Sequence, residues 1–408
     1  MSGDMSAPAR PRMSAHRVSL LGGLLTAIGP VSMALYTPAM TEIARAFNTS
    51  DSAVKMTLTL YFGGFACAQL IAGPLSDAIG RRPVTFLFMG IYCLGGLFAL
   101  GAPSIGALML ARFLQGVGAS AGVAIARAIV RDLFTGESSS RILNVIGIVL
   151  ALGPAVAPTI GGLLLTFAGW RAIFVAMALL GVLVVVASAI WLRETVVPDL
   201  SRLRPRQVAA AYGEVLSNRR FLAATAIIAG AVGALYAQAT FLPFILMNDV
   251  GLSPAEFGLG MLFQSGSFLA ASLVVRWLMD RVGAARLVGV GLGLIALGAL
   301  GVSLLLVWEP SFLRVMVPVG IYACGIAFVM PGATTAALAP FPRNAGAAAS
   351  MMGFVQMGSG LVVGSLGALM GDPVLAMGTL IPAMGATACL AHFLPRRGSA
   401  TIGPRATS

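Results

Sequence analysis

Histidine is almost missing from this chain: His16 and His392 are the only two, one near each end. A catalytic triad or a metal centre built on imidazole therefore has nothing to rest on. Charge is scarce as well, at 10% of residues, with only 14 Asp and Glu in 408 positions. No carboxylate falls deep inside an apolar run; Glu42 and Asp77 stand at run boundaries. Lysine occurs once, as Lys55, so arginine carries the net charge of +12. No G-x-x-x-x-G-K-[ST] stretch is present to cradle phosphates, which removes ATP as the energy source. Cys67, Cys93, Cys324 and Cys389 all lie in apolar runs without ligand spacing, where thiols behave as small hydrophobes, so no disulfide is expected. We expect no enzyme activity, no catalytic residue, no metal and no cofactor.

What the chain has in abundance is apolar surface. Hydrophobic residues make up 58% and the mean hydropathy is +0.94, too apolar for a soluble globule. Residues that cannot all reach a soluble core must face lipid, and lipid leaves no water for backbone groups, so the crossing segments are helices. The runs are placed at 18–40, 54–73, 84–101, 105–127, 142–166, 172–192, 221–247, 257–276, 287–308, 313–336, 344–370 and 374–394. Each is near the ~20 residues that span ~30 Å of hydrocarbon. Twelve is the expected number; reading 84–127 or 311–336 differently gives ten or eleven. The fold expected is all-α integral membrane, two six-helix bundles at 18–192 and 221–394. A tail at 1–17, a linker at 193–220 and a tail at 395–408 complete the chain. No signal-peptide cleavage site follows the N-terminal tail, so the first run is taken as an uncleaved span.

Basic residues test this layout. With the N-terminus inside, the arginines gather in the tails and on the inner side. Arg45, Lys55, Arg171 and Arg314 fall outside, while Arg112 and Arg127 lie within the fourth span. That asymmetry obeys the positive-inside rule, sets both termini in the cytoplasm, and reads the basic balance as topology rather than nucleic-acid contact. The linker, with Arg193, Arg202, Arg204, Arg206, Arg219 and Arg220, is either a solvated connection or a lipid-headgroup or regulatory site.

Residues 73–83, Gly-Pro-Leu-Ser-Asp-Ala-Ile-Gly-Arg-Arg-Pro, stand between the second and third spans. Gly73-Pro74 is expected to break the preceding helix, and Gly80 to make a tight bend before Arg81 and Arg82. Asp77-Ala-Ile-Gly80 is echoed by Asp280-Arg-Val-Gly283 at the equivalent place in the second half, as parallel repeats require. At the exit of a second span, G-x-x-x-D-x-x-G-R-R resembles the loop signature of the major facilitator superfamily.

Three further stretches extend the resemblance. Arg112, about seven residues into its apolar run, is costly by roughly 2.5 kcal/mol or more at a helix centre, so it faces a cavity or polar partner, or snorkels outward. Arg112-Phe-Leu-Gln115-Gly-Val-Gly, continuing to Arg131-Asp132, is similar to the fourth-span motif of drug:proton antiporters, which implies a proton-linked role for Arg112 and Gln115. Arg127, Arg131 and Asp132 are placed to pair with Asp77. Gly153-Pro154-Ala-Val-Ala-Pro158-Thr-Ile-Gly161-Gly162 reads as a bent, closely packed helix, and resembles the APxxGG antiporter motif of Bcr/CflA-type exporters. Tyr36-Thr-Pro38-Ala-Met-Thr-Glu42-Ile-Ala resembles their first span, with Ala34 where many relatives carry an aspartate; Glu42 is the acid left for proton coupling.

The resemblance implies a monomeric multidrug efflux transporter of the cell inner membrane, linked to antibiotic resistance and exchanging protons for amphiphilic drugs by alternating access. Gly73, Asp77, Gly80, Arg81, Arg82, Arg131, Asp132 and the 153–162 stretch would gate it. Tyr36, Arg112, Tyr236, Gln238, Phe241 and Tyr322 are candidates for the substrate cavity, although the last four can equally pack between helices. With few acids and one buried arginine, such a cavity suits neutral or anionic compounds. A metabolite carrier, for example an amino-acid exporter or uniporter, is the other reading, warranted by Ala34; a receptor that moves nothing is the third.

Overall fold

The computed structural model describes residues 13–342 and 344–393, so most of the N-terminal tail and the 395–408 tail lie outside the described residues. The described chain is almost wholly helical. Its helices are α1 (Ala15–Tyr36), α2 (Met40–Ala46), α3 (Asp51–Ile79), α4 (Arg81–Leu100), α5 (Ile105–Ala119), α6 (Ala121–Leu133) and α7 (Gly136–Trp191). There follow α8 (Pro205–Ser217), α9 (Arg219–Phe244), α10 (Pro254–Val282), α11 (Ala284–Ser303), α12 (Phe312–Leu338), α13 (Ala345–Met370) and α14 (Pro373–Phe393). Starts are written in the sequence. Ser50, Ser104 and Ser311 accept a backbone N–H three residues on, and Asn218 accepts two at the head of α9. At Ser253 a reciprocal box forms, with Ser253 N donating to Glu256 Oε2 at 2.8 Å and Glu256 N to Ser253 Oγ at 3.3 Å.

Among the described residues, eleven helical segments are long and apolar enough to cross a membrane. The longest, α7, contains one residue with non-helical dihedrals, Gly169 (φ +71°, ψ 177°), which divides it into 136–168 and 170–191. Counted as two crossings, α7 brings the total to the expected twelve. Exposed large side chains such as Leu94, Phe167, Leu179 and Leu369 agree with a lipid-facing exterior.

One local expectation fails. Gly73-Pro74 does not end the second span; α3 runs through Pro74 to Ile79. Membrane helices tolerate an internal proline where neighbouring groups satisfy the freed carbonyl. The helix stops instead at Gly80, whose φ of +112° and ψ of 154° lie in a region open essentially to glycine alone.

The described residues divide into two compact units, 13–208 with 252–262, and 209–251 with 263–393. In the first, α1 packs on α6 and α7, and α5 on α3 and α4; in the second, α9 packs on α12, α13 and α14, and α11 on α12 and α14. Each unit repeats the other in detail. The six described residues with positive φ form three pairs, Asn48 with Gly251, Gly80 with Gly283, and Gly169 with Gly371. Partners stand 202 or 203 positions apart. Helix contacts repeat too. A side chain at Gly95 of α4 would meet Gln115 N at 2.9 Å and Ala111 O at 3.0 Å, and one at Gly298 of α11 would meet Tyr322 N at 2.7 Å and Pro318 O at 2.8 Å. Gly118 and Gly325 likewise face Phe88 O at 2.6 Å and Gly291 O at 2.8 Å. Small residues at these points let paired backbones approach closely.

Backbone atoms cannot yield to a new side chain, so Gly118→Val and Gly325→Val should each cost about 1–3 kcal/mol. Thermal unfolding of the purified protein in detergent checks this: both midpoints should fall, while Gly90→Ala, which meets nothing within 4 Å, should not fall.

Candidate functional site

The cap at Ser104 starts α5 so that Arg112 lies two turns into the membrane-spanning stretch, fully buried. It does not snorkel. Its guanidinium carbon sits 4.4 Å from the ring centre of Tyr36 on α1 and 4.4 Å from that of Tyr61 on α3. Nη1 donates to Gln115 Oε1 at 2.9 Å, one turn along the same helix, and lies 3.7 Å from Met177 Sδ on α7. Nε and Nη2 are buried without a hydrogen-bond partner. Among the described residues no carboxylate pairs with this cation.

The tyrosine hydroxyls are engaged elsewhere, which leaves the faces of Tyr36 and Tyr61 to the arginine. Tyr36 OH bonds Thr57 Oγ1, Tyr61 OH donates to Gly29 O at 2.8 Å, and Tyr92 OH bonds Ser32 Oγ. A desolvated cation–π contact is worth about 2 kcal/mol. Two of them match the roughly 2.5–3.5 kcal/mol insertion cost of an arginine at a helix centre. The charge is tolerated there without being neutralised.

A second polar cluster forms around Arg81, which is 2% exposed. Its Nη1 pairs with the Asp77 carboxylate and donates to Ser76 Oγ at 2.7 Å; its Nε donates to Asp132 Oδ2 at 3.1 Å. The same Asp132 oxygen accepts Thr195 Oγ1 at 2.7 Å. One arginine thus ties the end of α3 to the end of α6 and to the segment after α7. The first two N–H groups of α4, from Arg81 and Arg82, donate to Glu194 Oε1 at 2.9 Å and Oε2 at 3.1 Å. Glu194 is therefore the cap of α4, a negative charge at a helix N-terminus. Arg81 makes the pairing with Asp77 that the sequence had suggested for Arg127, Arg131 or Asp132. Arg127 and Arg131 are exposed, as is Arg82, which lies over the Phe86 ring. Gly73 sits within α3, its carbonyl accepting Ser76 Oγ at 2.9 Å.

The helix holding Gly153, Pro154, Pro158, Gly161 and Gly162 stays continuous through both prolines; its break is at Gly169. Gly153 faces Val31 and Ala27 of α1, Gly161 faces Leu35 O and Pro38, and Gly162 faces Pro254 O. Thr159 Oγ1 donates to Gly258 O at 2.9 Å. Glu42 Oε1 accepts Trp170 N at 3.3 Å and so caps the helix that restarts after Gly169.

Of the expected site residues, Tyr36, Arg112 and Gln115 come together in the first unit. Tyr236, Gln238, Phe241 and Tyr322 are all buried in the second. Tyr236 OH accepts Gln356 Nε2 at 3.1 Å, Gln238 Oε1 accepts Gln264 Nε2 at 2.6 Å, Phe241 packs over Gly367, and Tyr322 OH donates to Gly230 O at 3.1 Å. Sequence reasoning missed Tyr61, Met177, Glu194 and Thr195. A signal existed for the first: tyrosines number only six, and Tyr61 lies inside a span. Glu194 gives no local signal of its capping role, because the N–H groups of α4 that it accepts are more than a hundred residues away.

Comparison with known proteins agrees with this architecture. The family profile described as Major Facilitator Superfamily matches residues 22–368. "Uncharacterized MFS-type transporter YdgK" of Bacillus subtilis is 31% identical over 92% of this chain and 94% of its own. Multidrug resistance protein D of Escherichia coli is 29% identical over 88% and 89%. A bicyclomycin resistance protein homolog of Haemophilus influenzae is 28% identical over 85% and 88%. Among solved structures, a bacterial homolog of the human lysosomal transporter Spinster, inward-facing and unoccupied, superposes with TM-score 0.69 over 94% of this chain and 96% of its own, at 18% identity.

Removing the cap in Glu194→Ala should cost about 1 kcal/mol. Hydrogen exchange should quicken in the peptide that opens with Arg81 and Arg82 while α9 to α14 keep wild-type protection.

Proposed function

The chain belongs to the Major Facilitator Superfamily, and from that premise we propose a proton-driven exporter of small neutral or anionic amphiphiles in the inner membrane. The observation that carries this reading is Arg112, a buried positive charge with aromatic faces on two sides and no acid beside it. At an effective dielectric of about 20, a monocation held about 6 Å from it is opposed by roughly 3 kcal/mol, more than a hundredfold in binding. An anion at the same place gains as much, and a neutral compound is indifferent. Multidrug and bicyclomycin resistance proteins among the relatives favour export and drug-like substrates.

Transport proceeds by alternating access, with bundles at 18–192 and 221–394 rocking about a site near the midplane and the 193–220 linker joining them on the cytoplasmic side with both termini. The Asp77–Arg81–Asp132 bridge, with Glu194 capping α4, holds the inner ends of α3, α4 and α6 together in one of the two states. Gly80 gives the bridge its turn, Arg82 and Arg131 border it, and the Gly153–Gly162 stretch supplies the close contacts along which α7 shifts. Glu42 at one end and Asp77 and Asp132 at the other are the carboxylates through which a proton is taken up and released. Arg112 with Gln115 senses charge between them. The transporter works as a monomer.

A metabolite exporter remains the second reading, because Ala34 is a buried alanine where an acid is common in drug antiporters.

A susceptibility panel in a bacterial host stripped of its own exporters tests the proposal. Resistance to some neutral or anionic drugs should appear, vanish with an uncoupler and vanish in Asp77→Asn and Arg112→Ala, both expressed normally. Robust resistance to quaternary ammonium dyes contradicts it. Resistance to nothing, from a well-expressed protein, moves the assignment to the metabolite carrier.

A further inference from the structure

The second unit holds a polar pair that the mechanism above does not use. Gln238 on α9 is 1% exposed and Gln264 on α10 is 6% exposed, both inside apolar crossings. Gln264 Nε2 donates to Gln238 Oε1 at 2.6 Å. That single bond leaves Gln238 Nε2 buried with no partner, and Gln264 Oε1 accepts from none of the described residues. A buried amide left open costs about 1–3 kcal/mol, which selection for stability alone would remove by substituting leucine at both positions. Amide oxygen and nitrogen are assigned by their hydrogen bonds, but exchanging both gives the same result: one open donor on one glutamine and one open acceptor on the other.

We propose that Gln238 and Gln264 form a specificity site for an uncharged substrate group that carries a carbonyl and an N–H side by side, such as a primary carboxamide or a lactam. The carbonyl accepts from the open N–H and the substrate N–H donates to the open oxygen, so both unmet groups are satisfied at once. Neither glutamine carries charge, so this site selects by hydrogen bonding where Arg112 selects by charge. The inference rests on the exporter reading for its biological meaning, but not for its test.

Binding is measured on the purified full chain in detergent with two fluorescent probes, dansylglycinamide and N-propyldansylamide, the second lacking the carboxamide. Wild type should bind dansylglycinamide about tenfold more tightly, one hydrogen-bonded group's worth. Gln238→Leu and the double Gln238→Leu/Gln264→Leu variant should each lose that preference while retaining N-propyldansylamide affinity. The double variant should melt no lower than wild type, because it leaves no amide unpaired. A wild type without preference, or variants that keep it, overturns the site. A pair serving only to hold α9 to α10 would instead lower the double variant's melting point and leave preference absent throughout. Efflux is read separately in cells: preference with no efflux of any compound refutes the exporter and keeps the site, and efflux without preference does the reverse.

Discussion

A guanidinium inside a membrane-spanning helix needs either a counter-charge or negative potential on its faces, since hydrocarbon offers neither water nor ions. Arg112 takes the second solution. Tyr36 and Tyr61 stack on it from α1 and α3, and Gln115 fixes its rotamer from one turn away. Much of the first unit follows from this. The hydroxyls of Tyr36, Tyr61 and Tyr92 must be satisfied away from the charge, which places Thr57, Gly29 and Ser32. The close approach of α5 to α3 needs glycine where the backbones meet, and Gly64 and Gly116 stand there against Phe113 O and Tyr61 O. Aromatic faces stabilise a cation without cancelling its field, so the positive charge persists inside the first unit.

The second constraint is duplication. A fold built twice must repeat its turns and its helix contacts. The positive-φ residues and the glycine contacts of α4–α5 and α11–α12 do so almost residue for residue. The chemistry does not repeat. Gln115 corresponds to Tyr322, a packing residue bonded to Gly230 O, and the Asp77–Arg81 bridge is echoed by Asp280 alone, with Ala284 at the place of Arg81. Geometry is thus shared between the units, while the buried charges among the described residues, Lys55, Arg81 and Arg112, all lie in the first.

How much of this was legible in the sequence depended on range. Apolar run length is local, so the crossings and most of their starts, to within a turn, could be read directly, whereas ends such as Ile79 and Val282 lie beyond the apolar runs. Gly80 was legible as a turn because arginines and a charge surround it. The supposed break at Gly73-Pro74 was misread by a rule from water-soluble helices, where a freed carbonyl has no neighbouring helix to satisfy it. Arg112 could be singled out as costly, but not its cage, since Tyr36, Tyr61 and Met177 arrive from three other helices. Glu194 was invisible for the same reason: nothing about Arg-Glu-Thr after the sixth crossing says that it caps a helix begun at residue 81.

The central claim is that an uncompensated Arg112 sets the sign of charge the transporter accepts. The most direct measurement is transport into proteoliposomes carrying an imposed pH gradient, using one aromatic scaffold made as carboxylate, methyl ester and quaternary ammonium. The account predicts uptake of the carboxylate and the ester and exclusion of the ammonium compound, while Arg112→Gln, which no longer transports, should bind all three alike. Uptake of the ammonium compound by wild type at a rate equal to the other two would contradict it.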